Sequence, residues 1–224
     1  YFDLNQEGKI RSVKCFRVGK MKREEKTRLT REKIITAAIE EFGEKGYKAA
    51  SINHICDSGI AKGLLYHNYE NKDALYIACL KSCFQEWTDS LSAAASSAGI
   101  EDYLKARMDF LRADRWKANI ILEALVHPPE QHRAEIAGIR QPYDELNLAL
   151  LETVLNSHVL RKGVDQERAL NYFMMMQDMF NWYCCNPRFD KQSLEQMALM
   201  HEKTLPEMLD YMLYGIVKED ERSC

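Results

Sequence analysis

The stretch Ser51–Leu75, SINHICDSGIAKGLLYHNYENKDAL, leaves the chain the least conformational freedom. Ser51 is a good N-cap, because its hydroxyl oxygen accepts an otherwise unpaired amide of a first helical turn. Ile52, Ile55 and Cys56 then fall at i, i+3 and i+4, one apolar stripe along a short helix. Gly59 stands where that helix has to stop, since the left-handed conformation that closes a helix comes most easily to glycine. Ile60 fills the angle, and a second helix runs from Ala61 to Tyr69 with Leu65 and Tyr69 four apart on its inner side. Lys62, Gly63, Tyr66 and His67 are left facing outward. Two short helices joined this way form a helix-turn-helix, whose second helix suits the major groove of DNA.

A third helix precedes the pair. In IITAAIEEFGEKGY, residues 34–47, Ile34, Ala38 and Phe42 with Ile35 and Ile39 make one buried stripe that Gly46 ends, and Thr30 supplies an N-cap. The spacings Phe42-x3-Gly46-Tyr47 and Gly63-x2-Tyr66-x2-Tyr69-x2-Lys72 are in register with this arrangement. The whole segment resembles the DNA-binding region of the TetR family of bacterial repressors. The resemblance implies that Lys62, Tyr66 and His67 contact phosphates and bases, and that Gly63 lets the helix backbone approach closely. It also implies that Lys72 faces the phosphate backbone at the start of a helix capped by Asn71, with Ser51 in the same role at the start of the earlier helix. Two residues depart from the pattern. Ala61 stands at a common serine cap, and Leu64 replaces a small polar residue; a leucine there packs against a thymine methyl instead of donating a hydrogen bond.

Composition limits the rest. Hydrophobic residues are 46% and charged residues 29% of the 224, a globular balance with ample material for a core. Strand-like alternation is absent and proline is scarce, so the class is all-α: a three-helix DNA-binding domain joined to a larger helical domain. No apolar run is long enough to span a bilayer and no secretory leader is seen, which predicts a cytoplasmic protein without a membrane partner. Seven cysteines without metal-ligand spacing are read as reduced thiols. The formal charge of −3 is uneven: residues 1–75 carry 15 Lys and Arg against 11 Asp and Glu, the remainder 16 against 23. A basic end on an acidic body suits a DNA-binding module fused to a sensor or dimerisation domain.

Residues 1–29 read as a basic, flexible tail, with Met21 as a natural start, residues 30–75 as the DNA-binding domain and residues 76–224 as the ligand-binding and dimerisation domain. The tail is either solvated or an arm toward the minor groove. After the long helix from Ala74 to about Ser97, helices are predicted at 100–113, 115–126, 130–161, 165–185 and 193–218, with Pro142 kinking or splitting one of them. Tyr103, Phe110, Trp116, Phe173, Gln177 and Asn181 are candidate pocket liners or core, an aromatic and amide mixture that suits an apolar ligand with polar handles. Asp178 and Glu123 leave room for a cationic one. A capping box at Ser193 opens the last helix. Its Leu194, Ala198, His201, Leu205, Met208 and Met212, with Phe180 before it, form a seam expected at a dimer interface.

Nothing in the sequence calls for a cofactor. His127, Glu130 and His132 straddle Pro128-Pro129 without metal-site geometry, so no metal is expected. Catalytic motifs are absent, and the enzymatic alternative is limited to Cys184 or Cys185, for which no base can be assigned. What the resemblance implies is a homodimeric repressor. It binds an inverted-repeat operator and is released when a small-molecule inducer enters the C-terminal domain and tilts the long connecting helix. An activator on the same fold is the alternative.

Overall fold

The computed structural model describes residues 14–95, 100–160, 162–184 and 194–216, and these are helical almost throughout. Helix α1 spans Lys14–Ala49, α2 Ile52–Asp57, α3 Lys62–Asn68, α4 Lys72–Ala95, α5 Ile100–Ala113, α6 Arg115–Val126, α7 Arg133–Asn156, α8 Gln166–Cys184 and α9 Leu194–Ile216, with a single 3-10 turn at Glu130–His132 before α7.

The start of α1 differs from the expectation. Thr30 does not cap it; the helix begins at Lys14 and passes through Thr30, so residues 14–29 carry helical backbone where a flexible tail was expected. No glycine or proline interrupts the chain from Lys20 to Phe42. Arg28 also pairs with Glu32 at 2.7 Å, one turn apart across the expected boundary. Residues 1–13 of the expected tail lie outside the described residues. At its other end α1 kinks at Gly46, where φ 73° and ψ 165° leave the helical region.

Pro142 neither kinks nor splits α7, which continues through it. Pro142 and Gly138 are both exposed, so the carbonyl that loses its proline partner stays open to water. The same helix ends at Asn156, short of the 161 expected.

One buried cluster runs from Ile34, Phe42, Ile55 and Leu65 in α1–α3 through Leu75, Leu80 and Trp87 in α4 to Ile120 in α6 and Tyr143 in α7. Buried packing therefore continues across the expected boundary at residue 75. A second cluster, Leu151, Phe173 and Met212 with Leu170, Met208, Leu209 and Leu213, joins α7, α8 and α9. Helix α4 touches α1, α5, α6 and α7, and α6 lies along α1. The contact between α6 and α1 is close enough that a Cβ on Gly43 would sit 2.6 Å from the carbonyl oxygen of Trp116.

Candidate nucleic-acid interface

Local chemistry holds the helix-turn-helix in place. Ser51, in extended conformation, accepts the Asn53 amide with its side chain, and its own amide donates to the buried Glu41 carboxylate at 2.8 Å. Its hydroxyl therefore serves as the cap of α2. Gly59 turns the chain at φ 88°, and the amides of Gly59 and Ile60 both donate to the Cys56 carbonyl. Helix α3 then rests on Leu65, which is fully buried. Ala61 occupies its cap position with φ −62° and ψ 127°, and no side chain closes the turn.

The opposite face of α3 is open. Lys62, Gly63, Leu64, Tyr66 and His67 are all exposed, Tyr66 at 45% and Leu64 at 43%. The Lys62 ammonium reaches Asn53 Oδ1 of α2 at 3.1 Å, and Arg31 of α1 donates to Asn68 at the end of α3. Gly63 has no positive φ, and a Cβ built on it would meet nothing within 4 Å. Neither its backbone conformation nor packing inside the chain requires a glycine there, although one costs about 1 kcal/mol in a helix.

At the start of α4, Asn71 Oδ1 accepts the Ala74 amide at 2.8 Å. Lys72 is half-buried rather than fully outward: its Nζ donates to the Lys48 carbonyl and lies 5.0 Å over the Tyr47 ring. Tyr47 is the centre of a wider network. Its hydroxyl donates to Asp73 at 2.6 Å, Gln131 donates to that hydroxyl, and the His132 ring stands edge-on to Tyr47 with Nε2 3.6 Å from Asp73. Burial, and then the hydrogen bond to Asp73, raise the Tyr47 pKa. His132, expected only as an unfavourable metal candidate, instead fastens the turn before α7 to this corner. Among the described residues no group of three or more His, Cys, Asp and Glu is placed to hold a metal ion.

The candidate pocket liners separate. Tyr103 hydrogen-bonds Asn147 and lines a cavity of about 30 Å³ together with Arg107, Leu150, Gln177 and Leu205. A second cleft of about 170 Å³ adjoins it, sharing Asn147, Leu151 and Gln177 and adding Asp144 and Asp178. Phe173 is fully buried in the α7–α8–α9 cluster, and Phe110 packs near Trp87. Trp116 does not join them, because its backbone lies against Gly43 of α1 and Arg115 covers its ring at 3.8 Å. Glu123 is likewise engaged elsewhere, accepting from the Tyr47 amide and the Tyr76 hydroxyl, which removes it from a cation site with Asp178. Asn181 has a side chain outside the described residues.

Sequence reasoning missed Arg107, Asn147 and Trp87. Arg107 is 3% exposed, donates to Tyr143 and lies 4.8 Å over the Trp87 ring, while the buried Trp87 indole N–H has no hydrogen-bond partner among the described residues. An arginine on the inward face of α5 was the available signal.

The expected α9 seam faces inward. His201, Leu205 and Met212 are buried within the chain, Met208 packs into the α7–α8–α9 cluster, and the Phe180 ring lies tilted against His201 with centroids 4.7 Å apart. The side chains of Leu194 and Ala198 lie outside the described residues. Most of the exposed large apolar side chains are on α8 instead: Tyr172, Met175, Met176, Met179 and Tyr183 recur at steps that place them on one helical face, with Met174 exposed outside it. Cys184 and Cys185, the residues of the enzymatic alternative, are outside the described side chains; Cys79 and Cys83 are buried, and burial pushes the Cys83 thiol up to about 12.

Comparison with known proteins bears on the same segment. Residues 34–79 match the sequence profile described as bacterial regulatory proteins, tetR family. The chain is 39% identical over 62 residues to the biofilm operon icaADBC HTH-type negative transcriptional regulator IcaR of Staphylococcus epidermidis, a match covering 27% of this chain and 34% of that one. To the HTH-type transcriptional regulator RutR of Escherichia coli K12 it is 29% identical over 84 residues, 35% of this chain and 40% of the relative. The chain thus spans well under half the length of these curated relatives. Its fold is shared more widely. The transcriptional regulator FadR from Bacillus subtilis, solved in complex with stearoyl-CoA, aligns with TM-score 0.59 at 20% identity over 83% of this chain and 98% of that one. A regulatory protein in the tetR family from Rhodococcus RHA1 aligns with TM-score 0.51 at 21% identity over 80% and 96%. Residues 34–79 thus carry a segment of the tetR-family type, and the chain as a whole shares its fold with the tetR-family protein from Rhodococcus RHA1.

Proposed function

We propose that the protein is a homodimeric transcriptional repressor that reads an inverted-repeat operator through α3 and releases it when a small molecule enters the C-terminal helices. The observation that carries the reading is the open face of α3. Lys62, Leu64, Tyr66 and His67 are presented on a helix anchored by Leu65, around a glycine that nothing within the chain explains. A duplex laid against Gly63 supplies the missing reason, because a side chain there would hold the backbone off the DNA. Lys62 reaches phosphate or guanine, Tyr66 and His67 donate to the backbone, and Lys72 and Ser51 lie at helix starts facing phosphates.

The outer stripe of α8 is the surface we assign to the second subunit, in place of the inward seam of α9. A two-fold axis there sets two copies of α3 into successive major grooves, about 34 Å apart or a little more. For the effector, the cavity at Tyr103 and Gln177 is the candidate chamber. At about 30 Å³ it is far smaller than the roughly 300–1,000 Å³ of typical ligand sites. The ligand therefore binds by parting α8 and α9 from α5 and α7, and Tyr103, Asn147 and Gln177 in the cavity lining offer it polar handles. Such opening is the differential affinity that release requires. The FadR neighbour, solved with stearoyl-CoA, is a relative by fold whose ligand has an apolar body and a polar head, the chemistry this chamber would take. A protein acting on DNA in this way works in the bacterial cytoplasm.

Selection of duplexes from a random pool by the full chain, followed by gel shift, tests the reading. Enrichment of an inverted repeat supports it; recovery of no sequence would sink it. On the selected duplex, Leu64→Ala is expected to relax preference for one thymine per half-site, by roughly 1–3 kcal/mol of discrimination, with nonspecific binding nearly intact. Equal losses on random DNA would remove Leu64 from the specificity.

A further inference from the structure

The kink that ends α1 breaks a helical hydrogen bond, and α6 repairs it. In an unbroken helix the Tyr47 amide would donate to the Gly43 carbonyl. With ψ 165° at Gly46 the following peptide is turned over, and that amide points to α6, donating to Glu123 Oε1 and Oε2 at 3.0 and 3.2 Å. The Gly43 carbonyl accepts from the Asn119 side chain at 2.9 Å. Asn119 and Glu123 are one turn apart on the same face of α6, and Trp116, one turn earlier, closes directly on Gly43. The second oxygen of Glu123 also accepts from the Tyr76 hydroxyl of α4. Two side chains of one helix thus stand in for the bond the kink removes from another.

What lies beyond the kink is the DNA-facing corner. Tyr47 carries Lys72 over its ring and Asp73 on its hydroxyl, the two residues that begin α4 beside α3. We propose that Glu123 is a positioning residue of the repressor: by holding the Tyr47 amide at the Gly46 kink, it makes the placement of Lys72 and of the helix-turn-helix follow the position of α6. This rests on the DNA-binding reading above. It adds a second route to the tilt of α4, through α1. Because α6 packs against α9 and α8, it moves as they part to open the chamber, pulls the carboxylate from the amide, and the corner bearing Lys72 loosens.

Two variants of similar volume separate a clamp from mere packing. Glu123→Gln keeps an acceptor for the Tyr47 amide, whereas Glu123→Met fills the space without one. In hydrogen exchange on the full chain without DNA, Glu123→Met is expected to speed exchange of residues 47–50 and 72–75 about tenfold, as loss of one charged hydrogen bond allows, while residues 118–122 keep their protection. Glu123→Gln should stay within about threefold of the parent. Unchanged exchange in Glu123→Met, uniform loosening of all segments, or equal behaviour of the two variants would each overturn the clamp. A duplex selected by the parent protein should slow exchange across residues 119–125 in the parent and in Glu123→Gln but not in Glu123→Met; the same slowing in Glu123→Met would overturn the coupling. If the parent selects no duplex, the operator reading fails while the DNA-free comparison still decides the clamp.

Discussion

Helices α3 and α8 both turn a face to solvent, and the two faces have opposite chemistry. On α3 the exposed residues are Lys62, Gly63, Tyr66 and His67 around one leucine, and the helix is held by a single buried side chain, Leu65. On α8 they are Tyr172, Met175, Met176, Met179 and Tyr183, with Met179 61% exposed, while Phe173 and Ala169 hold the inner side. A polar face on a short, locally capped helix is comfortable in water and waits for a charged polymer. An apolar stripe on a long helix is costly in water and calls for another apolar surface. On the proposed function, the contrast separates a reading surface from an assembly surface.

The sharpest way to break that contrast is to charge the stripe. Met179→Glu is expected to weaken self-association by about 2–4 kcal/mol, as for a central interface residue, so that light scattering finds a monomer at concentrations where the parent is a dimer. An unchanged mass would mean that α8 is not the assembly face. The joint between the regions comes next. Gly43→Ala forces a Cβ to 2.6 Å from the Trp116 carbonyl oxygen and 2.7 Å from its Cα, both backbone atoms, so destabilisation of about 1–3 kcal/mol is expected in thermal melts. A neutral result would show that α6 stands off α1 in solution.

Ala61→Ser should act in the other direction. The extended φ and ψ at Ala61 suit a capping serine, and a gain of about 0.5–2 kcal/mol is expected, seen as slower exchange in α3 and a higher melting temperature. No gain would mean that α3 is fixed by Leu65 alone. The smallest effect is on pH dependence. Burial raises the Glu123 carboxyl above its unfolded value of 4.5, outweighing the hydrogen bonds from Tyr47 and Tyr76 that lower it. The folded protein therefore holds that proton more tightly than the unfolded chain. The stability this adds is fully present below 4.5 and is lost as pH rises through the folded value. Melting temperatures of the parent should thus decline relative to Glu123→Gln from pH 4.5 upward; a parallel pair of curves would place the carboxyl in water.

The helix-turn-helix was legible because each of its decisions is made within a few residues. Ser51 caps because its hydroxyl reaches Asn53, Gly59 turns because only glycine takes φ 88° without strain, and Leu65 lies on the inner side of α3, one turn before Tyr69. The break between α6 and α7 was legible for the same reason, from the Pro128-Pro129 pair, whereas the end of α7 was not. The start of α1 was not, since a cap such as Thr30 signals a boundary only where the preceding residues leave the helix, and these continue it.

What tertiary structure alone decided is which side of an apolar helix is inside. His201, Leu205 and Met212 repeat as regularly as any intersubunit seam, yet they face α8 and its neighbours, while the stripe left over on α8 faces out. Periodicity measures that a face is apolar and says nothing of what covers it; that depends on helices far apart in the chain. The same holds for Trp116 and Glu123, placed among pocket residues by composition and drawn to α1 by the Gly46 kink, whose exposed amide and carbonyl had to find partners across a sequence separation of 76 residues.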